Sequence, residues 1–285
     1  GCEVNGNVRH GIRSENGVVD AKYSTINANG IGVSCNDGGV ELSRCEVYGQ
    51  DQGLTATNAE VTVEGSDIDG DGHGIMASGY VDLHIAKSSI EGGDEDQGDS
   101  GDGINISATN GEVFVSGSSV SGEGTNPVPA RGIYADASGD TSLILLNNPN
   151  VEGLGVGLEV SGAFLLSENT TFYSEASPAV LINHQLPSAS FAHCSFLGMV
   201  DGNTNAAFVL NGINDADLTV PRIMNCTFRG ASTAGLDAPY CLALSGNVTT
   251  GTVWMANSVL ATNIDPRVGI PAAPVSLPNG NVIMP

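Results

Sequence analysis

Val40-Glu41-Leu42-Ser43-Arg44-Cys45-Glu46-Val47 returns as Val61-Thr62-Val63-Glu64-Gly65-Ser66-Asp67-Ile68, and again as Val113-Phe114-Val115-Ser116-Gly117-Ser118-Ser119-Val120. Each copy reads apolar-x-apolar-x-x-small-x-apolar. Further copies end at Ile26, Ile90, Val151, Phe172, Phe196, Phe228, Val259 and Val282, and a half copy opens the chain at Cys2-Glu3-Val4. A second motif, Gly-apolar-x-apolar, falls between them: Gly30-Ile31-Gly32-Val33, Gly74-Ile75-Met76-Ala77, Gly103-Ile104-Asn105-Ile106 and Gly132-Ile133-Tyr134-Ala135. Ile12, Leu54, Leu158, Val180, Phe208, Leu242 and Ile270 fill its apolar slot elsewhere. The phrases end about 21 to 24 residues apart in most intervals and about 30 in four, which is a short repeat with insertions.

Alternation with period 2 sends every second side chain to one face. Three short strands joined by bends close one coil. Coils stacked about 4.8 Å apart pair their backbones and bury the inward faces in one continuous core. Glycines serve the bends. The expectation is therefore an all-β, single-domain solenoid over 1–285: a parallel β-helix of about eleven three-strand coils, roughly 50 Å long. Long helical periodicity is missing, which leaves an antiparallel sandwich as the competing architecture. Neither end shows an obvious cap, so the chain reads as a window from a longer β-helix or as a subunit stacking end to end into a filament.

This repeat resembles the pectin-lyase-like superfamily of right-handed parallel β-helices, over nearly the whole chain. The resemblance implies that the Gly-Ile-x-Val strand lines a substrate cleft and that flanking loops carry chemistry. It spans polysaccharide lyases, polygalacturonases and epimerases, and also adhesins, tailspikes and repeat proteins.

Nine Lys and Arg against 32 Asp and Glu give a net charge of −23, with Lys22 and Lys87 the only lysines. Such a surface repels nucleic acid and anionic membranes. No run of 18 apolar residues is present, so no membrane span is expected. The acidity suits an extracellular or cell-surface setting. Six cysteines without a CxxC pair disfavour zinc ligation by cysteine. Cys2, Cys45, Cys194 and Cys226 take the small inward slot. Cys194 and Cys226, on adjacent coils, read either as a disulfide or as buried thiols.

Insertions are expected at 91–102, 121–131, 197–206 and 229–240, all between the third strand and the next first strand, and at 211–220 on another corner. Carboxylates accumulate at the first of these corners. Asp67, Asp69, Asp71, Asp94 and Asp96 form either a Ca2+ site, where a hard cation relieves their repulsion, or a solvated acidic loop. Asp67-Ile68-Asp69-Gly70-Asp71-Gly72 opens like an EF-hand loop but has Ser78 where the bidentate Glu belongs.

Asp71-Gly72-His73-Gly74 is similar to the Gly-His-Gly segment of polygalacturonases, without their adjacent aspartate pair or Arg-x-Lys segment. Asp69, Asp71, His73 and Arg131 are thus the candidate catalytic set of an enzymatic reading, with Asp69 and Asp71 as the carboxyl pair that inverting hydrolysis needs. Arg131, Tyr134, Asp136 and Glu159 form the best polar patch outside the first strand and are the candidate ligand-binding set. Aromatic residues are only 5% of the chain, few for stacking sugars. A polar row runs up the third strand from Thr25 through Asp67 and Ser119 to Ser258. Phe114, Leu145, Leu166 and Val253 form an apolar stripe on the second strand, open to a cover or to self-association. Trp254 reads as core. The favoured function is a non-enzymatic rod that is structural, adhesive or binds carbohydrate or a surface receptor. The alternative is a calcium-assisted lyase or hydrolase of a uronate-type polysaccharide.

Overall fold

A computed structural model describes residues 1–93, 101–124, 130–175, 178–183, 186–200, 206–212, 214, 216, 218–232, 240–260, 263–265, 267–269 and 282–283. The recurring phrases stack. Among the described residues one parallel sheet holds twelve strands in chain order. It piles Val4, Ile26, Val47, Ile68, Ile90, Val120, Val151, Phe172, Phe196, Phe228, Leu260 and Ile283 in one column. The first strands pile Ile12, Val33, Leu54, Ile75, Ile104, Ile133, Leu158, Val180, Phe208, Leu242 and Ile264 in another. Every one of these pairings is parallel, which is what a coil returning to its start requires. In three coils the first and second strands run on as single bent strands, Gln52–Glu64, His73–Ala86 and Ile104–Ser116.

The small slot has a backbone reason. In most coils the residue before it is left-handed, at Tyr23, Arg44, Gly65, Lys87, Gly117, Asn169, His193, Asn225 and Asn257. That single residue turns the second strand into the third and leaves a buried N–H facing the neighbouring coil. The slot side chain of the next coil accepts it: Cys45 N–H donates to Ser66 Oγ at 3.0 Å, Ser66 N–H to Ser88 Oγ at 3.2 Å, and Ser88 N–H to Ser118 Oγ at 3.1 Å. Each hydroxyl then donates to the carbonyl two residues back, as Ser88 does to Ala86 at 2.8 Å. Sulfur continues the relay where Cys194 N–H donates to Cys226 Sγ at 3.4 Å. The slot is small because a larger group would fill the corner, and polar because a buried backbone donor must be satisfied.

Glycine has a separate column. Gly32, Gly53, Gly74, Gly103 and Gly132 precede the first-strand apolar residue, and a Cβ on each would stand 2.6 to 2.8 Å from the carbonyl oxygen of the next coil's glycine. Close backbone approach, and not an unusual φ, excludes a side chain there.

Four expectations are corrected by register. Gly30-Ile31 does not hold the first-strand slot: Ile31 pairs with Gln52 and Val33 with Leu54, so Gly32 is the matching glycine and Ser34 the outward residue beside Thr55. Leu145 of the apolar stripe is buried, and Ile144 faces outward beside Phe114. The corner there is one residue longer, with Asn147 and Asn148 both left-handed, which reverses the strand's phase relative to the phrase. Near the end of the chain the inward residue is Leu260 and not Val259. Val253, Met255 and Ser258 are therefore buried, while Trp254 is 42% exposed beside Arg222. The same slip carries into the last described strand, where Val282 pairs with Val259 and Ile283 with Leu260. Finally, insertions 197–206 and 229–240 begin as strand: Ser195–Val200 and Thr227–Ser232 pair through Val200 and Ser232. Ile270 lies outside the described residues.

The six cysteines are free thiols, five of them buried, with Cys2 exposed. The hydrogen bond with Cys194, and then burial, push the Cys226 thiol up, so it stays protonated. Phe172, Phe191, Phe196, Phe208 and Phe228 form the bulkiest part of the core. Among the described residues no helix is long and apolar enough to cross a membrane.

Candidate functional site

The insertion corner supplies a buried carboxylate with four hydrogen-bond donors. Asp102 follows the 91–101 segment and is 3% exposed. Its carboxylate accepts from Arg131 N–H at 3.0 Å, Arg131 Nε at 2.8 Å, Arg131 Nη2 at 2.9 Å and Asn105 Nδ2 at 2.7 Å. Four donors satisfy a buried carboxylate without any ligand. Arg131 opens the strand Arg131–Asp136. Its Nη1 donates to Glu159 Oε2 at 3.2 Å, and its guanidinium carbon lies 3.7 Å from the centre of the Tyr134 ring. Burial would lower the Arg131 pKa, but the hydrogen bonds and charges of Asp102 and Glu159 outweigh it and the net shift is upward. Arg131 is therefore a cation with both edges of its fork occupied.

The chain of contacts continues up the rod. Glu159 Oε1 accepts from Asn183 Nδ2 at 2.9 Å, and Asn183 Oδ1 accepts from Asn211 Nδ2 at 2.8 Å. Asp102, Arg131, Glu159, Asn183 and Asn211 thus form a hydrogen-bonded ladder over five successive coils. Tyr134 stands beside it, in register with Asn105 below and Glu159 above. Burial, and then Asp136, raise the Tyr134 pKa, so its hydroxyl stays protonated. Asp136 sits at the outer end of the same strand and accepts from Ser161 Oγ at 2.9 Å. The expected ligand-binding set, Arg131, Tyr134, Asp136 and Glu159, does share one face.

The candidate catalytic set is divided. His73 Nδ1 accepts the backbone N–H of Asp102 at 3.0 Å, which puts the ring proton on Nε2. Burial is the main cause of its lowered pKa, so the ring is neutral near pH 7. His73 and Arg131 are joined through Asp102. Asp71 accepts from Tyr48 Oη at 2.8 Å, and Asp69 projects from the third sheet beside Glu91. Asp71 is thus tied to Tyr48, and Asp69 stands in register with Glu91.

The acidic corner is crowded. Burial, then Glu46, raise the Asp67 pKa, and burial, then Asp69 and Asp67, raise that of Glu91. Asp94 and Asp96 lie outside the described residues. The 91–102 and 121–131 insertions meet at an antiparallel bridge between Gly101 and Glu123.

Three residues of consequence were not singled out as site residues: Asp102, Asn183 and Asn211. The asparagines do leave a trace, since Val180-Leu181-Ile182-Asn183 and Phe208-Val209-Leu210-Asn211 share one phase. Among the described residues, the one group of three potential metal ligands whose donor atoms converge is Asp82, His84 and Glu112, on the second sheet. It lies in the outward positions of Val81-Asp82-Leu83-His84-Ile85 and of Glu112-Val113-Phe114-Val115.

Comparison with curated proteins and with solved structures finds no match. A family model described as right handed beta helix region matches residues 30–212, more than half of the chain and the whole of the stretch that carries the Asp102–Asn211 ladder. The stacked columns and this match lead to one conclusion: the chain belongs to the right-handed β-helix family.

Proposed function

We propose that this protein is a non-enzymatic rod of the extracellular space or cell surface that holds an extended carbohydrate along its first-sheet face. The observation that carries this reading is the saturation of the ladder. Asp102, Arg131, Glu159, Asn183 and Asn211 spend their strongest donors and acceptors on one another. A base that removes a proton must be unprotonated and reach its substrate, and Arg131 is held protonated against two carboxylates. What such a ladder offers is a fixed row of half-buried polar edges repeating at the coil spacing of about 4.8 Å. The Tyr134 ring adds an apolar surface at its centre, and rigid, pre-oriented groups of this kind bind an extended ligand at little entropic cost. The low lysine content and the −23 charge fit a setting away from nucleic acid.

Titration calorimetry against uronate and neutral oligosaccharides tests it, with the sugars recovered and sized by mass spectrometry. The expected result is saturable binding to one sugar class, weakened about ten-fold or more by Tyr134→Ala, about 1.4 kcal/mol, with the oligosaccharide intact. Shortened products whose release is abolished by Asp71→Ala or Arg131→Ala would establish the lyase or hydrolase alternative instead. Equal affinity in Tyr134→Ala removes this face as the binding surface.

A further inference from the structure

We propose that Asp82, His84 and Glu112 bind a divalent transition-metal cation, at a site on the second sheet separate from the first-sheet ladder. Asp82 and Glu112 occupy directly opposed positions on neighbouring strands, and Glu60 is the next rung of the same column. Three carboxylates directly across from one another on successive parallel strands repel. Among the described residues, the group that the structure sets against Asp82 and Glu112 is His84. Its Nε2 lies 3.2 Å from Asp82 Oδ1 and 3.6 Å from Glu112 Oε1.

Those separations suit a metal. Tetrahedral bonds of about 2.0–2.1 Å to nitrogen and oxygen place ligand atoms about 3.3 Å apart, and the two separations, 3.2 and 3.6 Å, bracket that value. The donor atoms of all three residues lie within 4.8 Å of one another. One imidazole with two carboxylates is a donor set for Zn2+ and its first-row neighbours and not for a Ca2+ cage of oxygens. The ligands are also held in place. The strands beneath them are pinned by Leu83, Ile85, Val113 and Val115, all buried. The His84 ring stacks on Phe114, with centroids 5.6 Å apart and planes at 29°, which fixes the direction in which Nε2 points. Donors on rigid strands hold their geometry better than donors on loops. The side chains of His84, Asp82 and Glu112 are 46%, 34% and 43% exposed, so the outer side of the cation faces water and keeps coordination positions open.

The test is a Zn2+ titration of the full chain after chelator treatment, followed by calorimetry and by the imidazole proton resonances. The resonance missing from His84→Ala identifies His84. The expected result is that Zn2+ moves that resonance in the unsubstituted protein. One equivalent of binding is lost, or weakened about ten-fold or more, in His84→Ala and again in Glu112→Gln, with circular dichroism unchanged. The exposed thiol of Cys2 is removed as a competing ligand by repeating the titration in Cys2→Ser. The proposal is overturned if Zn2+ leaves the His84 resonance in place, or if His84→Ala binds Zn2+ with the same stoichiometry and affinity. Either outcome means that His84 meets these carboxylates only through hydrogen bonding.

Discussion

Replacing Phe196 with alanine lowers the free energy of unfolding by about 3–5 kcal/mol. Phe196 is 1% exposed and occupies the third-strand column where four other rings meet it. It stacks on Phe172 at 5.5 Å and Phe228 at 4.6 Å, and meets Phe191 and Phe208 edge-on, each at 5.3 Å. Truncation removes the transfer free energy of the ring, leaves a cavity between coils that cannot close without breaking backbone pairing, and removes four aromatic contacts at once. Denaturant unfolding of Phe196→Ala and of Phe164→Ala makes the comparison, since Phe164 is 41% exposed on the second sheet. The exposed site has far less apolar area to lose. Equal costs at the two positions would contradict the assignment of inward and outward faces.

Asp102→Ala has an effect of similar size for a different reason. The substitution leaves the Arg131 guanidinium half-buried with Glu159 as its remaining carboxylate beside the Tyr134 ring. It also leaves the Arg131 backbone N–H and Asn105 Nδ2 without the acceptor they now have. Removing one partner of a buried ion pair costs about 3–5 kcal/mol, because the other charge stays behind in a poorly solvated place. Asp102→Asn keeps an acceptor oxygen and the side-chain shape, so it falls between Asp102→Ala and the unsubstituted protein. Arg131→Met strands the more deeply buried Asp102 carboxylate, with the backbone N–H of position 131 and Asn105 Nδ2 as its donors, and costs at least as much as Asp102→Ala. Thermal and denaturant unfolding of the three variants checks this order. If Asp102→Ala is as stable as the parent, the ladder does not brace the coils, and the reading of Arg131 as a committed cation falls with it.

Most of the fold is written in the sequence because the core enforces it coil by coil. Ile68 and Ile90 are recognisable as stacked partners since nothing but an apolar residue is tolerated at that point in either coil. Register is ambiguous in the sequence where two phases are equally apolar. Val259 and Leu260 both fit the end of the phrase, and only the burial of Val253 and Met255 decides between them. The doubled corner at Asn147 and Asn148 is similar, because one extra residue in a turn is invisible to a pattern that counts from the strand's end.

The site was partly legible for the same reason. Arg131, Tyr134, Asp136 and Glu159 share the outward phase of the first strand, so alternation places them on one face. The role of Asp102 is hidden in the sequence among many neighbouring carboxylates, and only the fold turns it inward towards Arg131. Asn183 and Asn211 enter through side chains that reach across coils, a contact with no fixed spacing in the chain. Asp82, His84 and Glu112 converge across an interval of about thirty residues set by the length of the 91–102 insertion, which no local motif encodes.

All these placements rest on register, and an engineered cross-link reads register directly. Asp67 and Ser89 face outward on neighbouring coils as direct partners, at the strand spacing of about 4.8 Å that a disulfide spans. Oxidation of the double variant Asp67→Cys, Ser89→Cys, in a Cys2→Ser background, is expected to give an intramolecular disulfide in nearly every molecule. The pair Asp67→Cys, Ser119→Cys, two coils apart in the same column, is expected to give none. The reverse outcome, closure of the distant pair with the neighbouring pair left open, would contradict the stacking of one phrase per coil.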